Sequence, residues 1–260
     1  MPRSNFNRLI LAALLLAGLG ASTAFAWTPA TQVTIGENAA SISPPDLTRQ
    51  IARHREAFRR GLLSPFEAAP QKAHVKNPSG GGELDSSVKR ATERAVAAIK
   101  THQPFAEVVY QLGIVAHFVA DASNPMNTSD EDSAESTYFN DYLRYIEAAR
   151  PRFPIVFYGE GRDITNTRDL DLLFENSLVR GRGFYPMIGK EYQRIGRVDG
   201  VTLFDDRSTA FGVGSLSVSH AVSDVAAVMR YIWLQGGGGD HRQLRLTRPR
   251  SAIDSPAKSR

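Results

Sequence analysis

The sequence predicts an all-α protein, built as a single compact multi-helix domain. Apolar residues recur at intervals of three and four along most of residues 27–235, which is the spacing of one helix face. Alternating apolar and polar runs, which would indicate strands, are scarce, and the sequence has no internal repeat. These observations favour one helical core over a sheet or a repeat array.

The chain begins with a predicted secretory leader, residues 1–26. Arg3 and Arg8 precede a short apolar run, and an Ala-Phe-Ala sequence at 24–26 suits cleavage. The run is too short to span a bilayer comfortably, and no later segment is predicted to be a transmembrane anchor. We therefore expect an exported protein, secreted or periplasmic, whose mature chain begins at Trp27 and is a monomer.

Composition limits the chemistry that the chain can perform. The sequence contains no cysteine, so a metal would need histidine, carboxylate or backbone ligands. The net charge of +4 comes from the leader and from residues 236–260, which we expect to be a disordered basic tail. The remaining body is slightly acidic, so its charge does not predict a nucleic-acid patch.

The first half of the chain is predicted to contain five helices. Pro44, Pro45 and Asp46 suit a helix start, Gly61 suits its end, and Asp85 or Ser86 can cap the next helix. Residues 61–82 contain three prolines and a run of three glycines, so we expect a loop there. The expected helices span 27–41, 44–60, 85–99, 104–124 and a tyrosine-containing segment that ends at 149.

The second half is predicted to contain more loop. Residues 129–135 form an acidic loop without a recognisable calcium-binding pattern, and a solvated helix flank is the favoured interpretation. Residues 150–166 are interrupted by proline and glycine. Two short helices, 170–178 and 187–195, are expected around a flexible Arg-Gly-Arg-Gly hinge, and a long apolar helix over 215–235 ends the domain.

The central predicted helix contains a histidine and a carboxylate among apolar residues. His117 and Asp121 are four residues apart, so a helix places them on one face, about a turn from each other. Their apolar neighbours indicate burial, and a buried carboxylate needs a counter-charge, hydrogen bonds or a metal. The spacing alone favours a structural hydrogen bond, with a metal site as the alternative.

Three motifs occur along the chain in a recognisable order. Trp27 would begin the mature chain, His74 stands in the sequence AHVKNPSGG, and Leu112-Gly113, His117, Asp121 and Pro125-Met126 form the third motif. Together they resemble the superfamily of bacterial zinc-dependent phospholipases C and fungal single-strand-specific nucleases. The family's central helix has the pattern L-G-x-x-x-H-x-x-x-D-x-x-x-P-M-H. The resemblance extends over most of residues 27–235.

The resemblance implies a helical fold with a zinc cluster at the base of a cleft, used to hydrolyse phosphate esters. His74, His117 and Asp121 match ligands of one zinc, and Glu67 could substitute for the fourth. In the family, an N-terminal tryptophan binds zinc through its amino group and carbonyl. Trp27 with Asp121, a position that bridges two metals, could thus hold a second zinc. As catalytic groups, the resemblance implies at most Asp121 and a metal-bound water.

Several family ligand positions differ in this chain. Gln32 occupies the position of the family's early histidine, and Asn127 replaces the histidine that closes the central motif. Pro65-Phe66 stands where the family has a Pro-Asp pair. A later H-x-x-x-E pair aligns with Phe139 and Leu143, which cannot coordinate a metal. The third zinc has therefore lost its ligands, and we expect one or two zinc ions.

Three hypotheses follow for the function. The first is an exported zinc-dependent, phospholipase C-like hydrolase with a reduced metal site. Its substrate would be a phosphate ester such as a phospholipid headgroup or a nucleotide. The second is a catalytically inactive relative that acts as a metal-stabilised binding module. The third is a protein without metal, in which His117 and Asp121 are joined by a hydrogen bond.

Overall fold

The computed structural model describes residues 27–159, 164–196 and 198–239. These residues form helices and connecting segments without a β-strand, so the predicted all-α class is confirmed. The α-helices are α1 (Pro29–Ser41), α2 (Pro45–Arg53), α3 (Arg55–Ala68), α4 (Leu84–Lys100), α5 (Phe105–Ala122), α6 (Glu135–Ala149), α7 (Thr167–Ile195), α8 (Gly200–Leu203) and α9 (Thr209–Gln235). Three 3₁₀ turns join them, Gln71–His74, Pro125–Asn127 and Arg150–Arg152. The predicted leader and residues 240–260 of the predicted tail lie outside the described residues.

Helices α5 and α9 form the centre of the core. Helix α5 packs against α3, α4 and α9, and α9 packs in turn against α7 and α1. Both helices are long and apolar enough to cross a membrane by length and composition, but 67% of the α5 span and 72% of the α9 span are buried inside the protein. Burial on several sides explains why both helices are apolar around most of their circumference.

The main correction to the predicted elements concerns residues 61–68. Gly61 does not end a helix, because α3 continues through it and through Pro65 to Ala68. A β-carbon at Gly61 would collide with the carbonyl oxygen of Tyr110, and one at Gly113 would collide with that of Phe58. The two glycines therefore let the backbones of α3 and α5 cross in direct contact. This crossing brings α3 against the helix that contains His117 and Asp121.

The predicted helix over 44–60 is divided into α2 and α3. His54 separates them because its φ of −117° and ψ of 33° lie outside helical geometry. The predicted ends of the central helix are confirmed. Pro104 precedes the first residue of α5, and the Asn124 side chain accepts a hydrogen bond from the Met126 amide, which starts the following 3₁₀ turn.

The predicted hinge at residues 180–183 is also wrong. Helix α7 runs without interruption for 29 residues through the Arg-Gly-Arg-Gly sequence. Gly181 faces Thr128, whose Cγ2 atom would lie 2.7 Å from a β-carbon at that position. The neighbouring Arg182 Nε donates to the Thr128 carbonyl oxygen at 3.2 Å. Gly181 thus allows a close contact between α7 and the segment after α5, and it does not provide flexibility.

Candidate metal centre

His74, His117 and Asp121 meet in the interior of the protein. Helix α5 places His117 and Asp121 on the same face, and the 3₁₀ turn after α3 brings His74 to them. The exposed fraction is 1% for each histidine and 2% for Asp121. The rings of Phe66 and Phe118 cover the histidines, with centroids 4.7 Å from His117 and 5.4 Å from His74. The group is therefore shielded from bulk water.

Three donor atoms converge within this group. The Nδ1 atom of His74 lies 2.8 Å from Oδ2 of Asp121 and 3.1 Å from Nε2 of His117. The same Nε2 and Oδ2 atoms are 3.4 Å apart. Among the residues that the structure describes, this is the one group of three or more histidine, aspartate or glutamate donors within 4.8 Å of one another. The sequence prediction that these three residues come together is therefore matched by the geometry.

The donor set fits a zinc ion in chemistry and in spacing. Imidazole nitrogens and a carboxylate oxygen are ordinary zinc ligands, with bonds of about 2.0–2.1 Å to nitrogen. A tetrahedral ion with such bonds separates its ligand atoms by ~3.3 Å. The three observed separations, 2.8 to 3.4 Å, lie close to that value. Three protein donors leave one coordination position for water or substrate, as in catalytic zinc sites.

Surrounding groups fix the orientation of the donors. His117 Nδ1 donates to the carbonyl oxygen of Leu62 at 2.7 Å, which leaves Nε2 of the neutral ring as an acceptor or ligand atom. The α3–α5 crossing thus orients His117 through the residue that follows Gly61. Gln32, from α1, donates through Nε2 to the other carboxylate oxygen of Asp121, Oδ1, at 3.0 Å.

The environment of Asp121 also favours its charged form. Burial raises the pKa of this carboxyl group, but interactions with His117 and His74, which favour the anion most when the rings carry protons, lower it more, so the pKa lies below the ordinary value of 3.8. Asp121 is therefore ionised at neutral pH, the form in which a carboxylate binds metal.

The same atoms can also be satisfied without a metal. With His117 Nδ1 donating to Leu62, a proton on His74 Nδ1 can be shared between Asp121 Oδ2 and His117 Nε2. Such a hydrogen-bonded cluster is the metal-free alternative that the sequence left open. Metal binding and this cluster differ in what they predict for zinc content and for the effect of chelators.

Two other predicted ligands have different positions. Glu67 is exposed and lines an outer groove with Arg60 and Glu107, and it is not part of the three-donor group. The reason is helical geometry: Leu62 and Phe66 face His117, and the next residue along α3 points about 100° away. Glu67 is therefore not brought to the centre as a fourth ligand. Trp27 is buried beside α5, where its indole Nε1 donates to the Ala120 carbonyl oxygen at 2.9 Å.

The residues that replace the family's remaining ligands have structural contacts of their own. Asn127 donates through Nδ2 to the main-chain oxygen of Asp121 at 3.3 Å. Phe139 is buried in α6, and the partly buried Leu143 packs against the core. None of these three side chains supplies a strong metal donor.

A cleft of about 530 Å³ lies next to the cluster. Its wall includes Val75 and Asn127, one the direct neighbour of His74 and the other bonded to the Asp121 backbone. The cleft also contains carboxylates, and no lysine or arginine is found among the described residues that line it. These carboxylates are Asp130, Asp132 and Glu135. Negative potential is therefore expected at this surface in the absence of a metal.

A second His-x-x-x-Asp pair, which the sequence analysis did not identify, occurs in α9. Asp224 is buried, and its Oδ2 atom accepts hydrogen bonds from Ser177 at 2.7 Å, from Ser123 at 3.2 Å and from Arg180. His220 stacks on Tyr158, with ring centroids 4.3 Å apart. The pair borders a cavity of about 600 Å³ between α7 and α9. The repeated spacing in the sequence could have identified it.

Comparisons with known proteins extend the structural result. No family model and no curated protein sequence matches the chain. Its fold is similar to the crystal structure of Clostridium perfringens alpha-toxin isolated from avian strain SWCP, with a TM-score of 0.61 and 12% sequence identity. The match covers 84% of this chain and 66% of the toxin chain, so this chain spans just under two thirds of the toxin's length. At this level of identity the likeness establishes the fold alone, an all-α domain similar to that of the toxin.

Proposed function

We propose that the protein is an exported, zinc-dependent hydrolase of phosphate esters, similar to phospholipase C and with a reduced metal site. The supporting observation is the convergence of His74 Nδ1, His117 Nε2 and Asp121 Oδ2 at 2.8 to 3.4 Å. The toxin-like fold is the one expected from the resemblance to zinc phospholipases C, and the match to their central helix motif adds to this support.

The residues of this chain would hold and orient the metal. His117 is aligned by Leu62, Asp121 is ionised and fixed by Gln32, and His74 completes the set. A bound zinc supplies Lewis-acid polarisation of a phosphoryl oxygen and makes hydroxide available near neutral pH. Phe66 and Phe118 would limit the access of bulk water to the donors.

The cleft beside Asn127 is the proposed route for substrate. The phosphate group of a phospholipid or nucleotide would meet no lysine or arginine among the described residues that line this cleft. Its binding would therefore depend on the charge of the metal. We expect phosphate to inhibit the zinc-loaded protein and to bind the metal-free protein much more weakly.

A second candidate function is that of a non-catalytic, metal-stabilised binding protein. The burial of the three donor residues favours it, because structural zinc sites are closed whereas catalytic sites keep an open position. The number of donors therefore supports a catalytic site, whereas the exclusion of solvent supports a structural one. An activity assay combined with metal analysis separates them.

The test is hydrolysis by the zinc-loaded exported protein. Suitable substrates are bis-p-nitrophenyl phosphate, p-nitrophenyl phosphate, phosphatidylcholine vesicles and single-stranded DNA. His117→Ala should lose all activity, whereas His220→Ala, the corresponding histidine of α9, should retain it. Bound zinc with equal background rates in all three proteins would exclude the hydrolase and leave the non-catalytic function. Absence of zinc from the native protein would contradict both.

A further inference from the structure

The two carboxylate oxygens of Asp121, Oδ2 and Oδ1, differ in how freely they can bind a metal. Oδ2 faces the two histidines, whereas Oδ1 accepts a hydrogen bond from Gln32 Nε2 at 3.0 Å. The Gln32 side chain is fully buried, so water does not compete for this contact. The two oxygens of one carboxylate are thus divided between two different partners.

The contacts determine which end of the Gln32 amide faces Asp121. The same Nε2 atom also lies 3.4 Å from the main-chain oxygen of His117, so both of its near partners are acceptors. Exchanging the amide oxygen and nitrogen would place Oε1 against a carboxylate and a carbonyl, which is repulsive. Oε1 itself is buried without a hydrogen-bond partner among the described residues. Gln32 accordingly serves as a donor to Asp121.

We infer that Gln32 is a positioning residue that limits the centre to a single metal ion. The inference rests on the proposed metal site. A carboxylate most readily bridges two metals when each oxygen faces one of them, and the buried N–H group directed at Oδ1 takes the side on which the second cation would lie. Hydrogen bonds to a metal-binding carboxylate also fix its orientation and raise metal affinity.

The inference changes the expected role of Trp27. A second zinc held by its amino group would most readily share Asp121 through Oδ1, which Gln32 already engages. The observed contact of Trp27 is instead the hydrogen bond from its indole to the Ala120 carbonyl oxygen. The indole of Trp27 therefore anchors this residue to α5, next to Asp121.

The test measures metal content and affinity in Gln32→Met, which keeps the length of the side chain and removes the donor. Thr31→Val is the matched control, because Thr31 is equally buried in α1 and its side chain bonds to Glu147. Elemental analysis gives ions per chain, chelator competition gives affinity, and cobalt absorption reports the coordination. We expect one ion per wild-type chain, about 10–100-fold weaker binding with an altered cobalt spectrum in Gln32→Met, and no change in Thr31→Val.

The possible results separate the two proposals. Two ions per wild-type chain would overturn the single-metal inference and leave the proposed hydrolase intact. Wild-type affinity and spectrum in a folded Gln32→Met protein would overturn the role of Gln32. Equal losses in Gln32→Met and Thr31→Val would also overturn it, because the effect would then be a general disturbance of α1. Should Gln32→Met fail to fold, the wild-type stoichiometry still decides the metal count.

Discussion

The two His-x-x-x-Asp pairs of the core have the same spacing and opposite surroundings. In α5, Asp121 meets two imidazoles, and three donor atoms converge on one point. In α9, Asp224 meets a guanidinium and two hydroxyl groups, while His220 stacks on Tyr158. The α5 partners are imidazoles, which are ordinary metal ligands, whereas the α9 partners act towards Asp224 as hydrogen-bond donors. The residues brought from other helices therefore decide what this spacing can do.

The pKa values of the two aspartates are shifted in opposite directions. Burial raises the pKa of both, but the histidines lower that of Asp121 below its ordinary value. Burial outweighs Arg180 and the serines at Asp224, whose pKa is raised. A buried carboxylate is most easily kept charged where several partners favour the anion. Asp121 in α5 is thus held in its charged form by the imidazoles, whereas Asp224 in α9 is paired with Arg180.

The largest expected effect separates the pairs by metal content. Asp121→Asn should abolish stoichiometric zinc binding, because it removes one of three ligands and the only negative charge among them. Asp224→Asn, the same change in α9, should leave zinc content unchanged. Elemental analysis of the two proteins checks this. Equal zinc content in both would contradict the assignment of the centre to α5.

The next prediction concerns stability. Breaking the ion pair between Asp224 and Arg180 should destabilise the protein more than breaking an ion pair at the surface. Asp224→Asn leaves Arg180 half-buried without its carboxylate, and we expect the free energy of unfolding to fall by about 2 kcal/mol, less than the ~3–5 kcal/mol typical of fully buried pairs. Replacing both residues, as Asp224→Leu with Arg180→Met, should recover more than half of that loss. Urea denaturation measures both values, and a double variant less stable than the single one would refute the ion-pair account.

A third prediction uses the helix crossing that orients His117. Gly61→Ala should lower the free energy of unfolding by about 1–3 kcal/mol, because its methyl group has no space beside Tyr110. It should also weaken zinc binding by moving the Leu62 carbonyl. Gly183→Ala, at an open position of α7, should instead add about 0.5–1 kcal/mol and leave zinc binding unchanged. Thermal melts with and without a chelator compare the two.

The smallest expected effect is a change in pH dependence. Burial, followed by the charge of Arg180, lowers the pKa of His220 from 6.5 to about 4. The unfolded chain therefore takes up a proton as pH falls from 6.5 to 4 while the folded protein does not, so this histidine lowers stability in that window. His220→Gln should make the fall in melting temperature between pH 7 and 4.5 less steep. An unchanged slope would show that His220 is not kept neutral by the fold.

The fold class, the ends of α5 and the burial of His117 and Asp121 could be predicted because they depend on local sequence. The roles of Gly61 and Gly181 could not. A glycine that ends a helix and one that lets another helix approach have the same sequence appearance, and only the facing residues, Tyr110 and Thr128, distinguish them. The sequence therefore predicts helix ends at Gly61 and near Gly181 where the structure has continuous helix.

The candidate centre was predictable only in part for the same reason. The pairing of His74 with Asp121 joins residues 47 positions apart, and no local pattern encodes it. The resemblance to a known family supplied that pairing. The sequence indicates only that Gln32 replaces a histidine of the family. Its contact with Asp121 Oδ1 could not be predicted, because it depends on how α1 packs against α5.

The contact between Trp27 and α5 has an optical consequence. The sequence contains two tryptophans, and the second, Trp233, donates its indole hydrogen to Asp46 in α2. Both are buried, but only Trp27 is bonded to the residue that precedes Asp121. With Trp233 replaced by phenylalanine, the fluorescence emission would come from one indole beside the candidate centre. Trp27 would then report directly on ion binding and on local unfolding of α5.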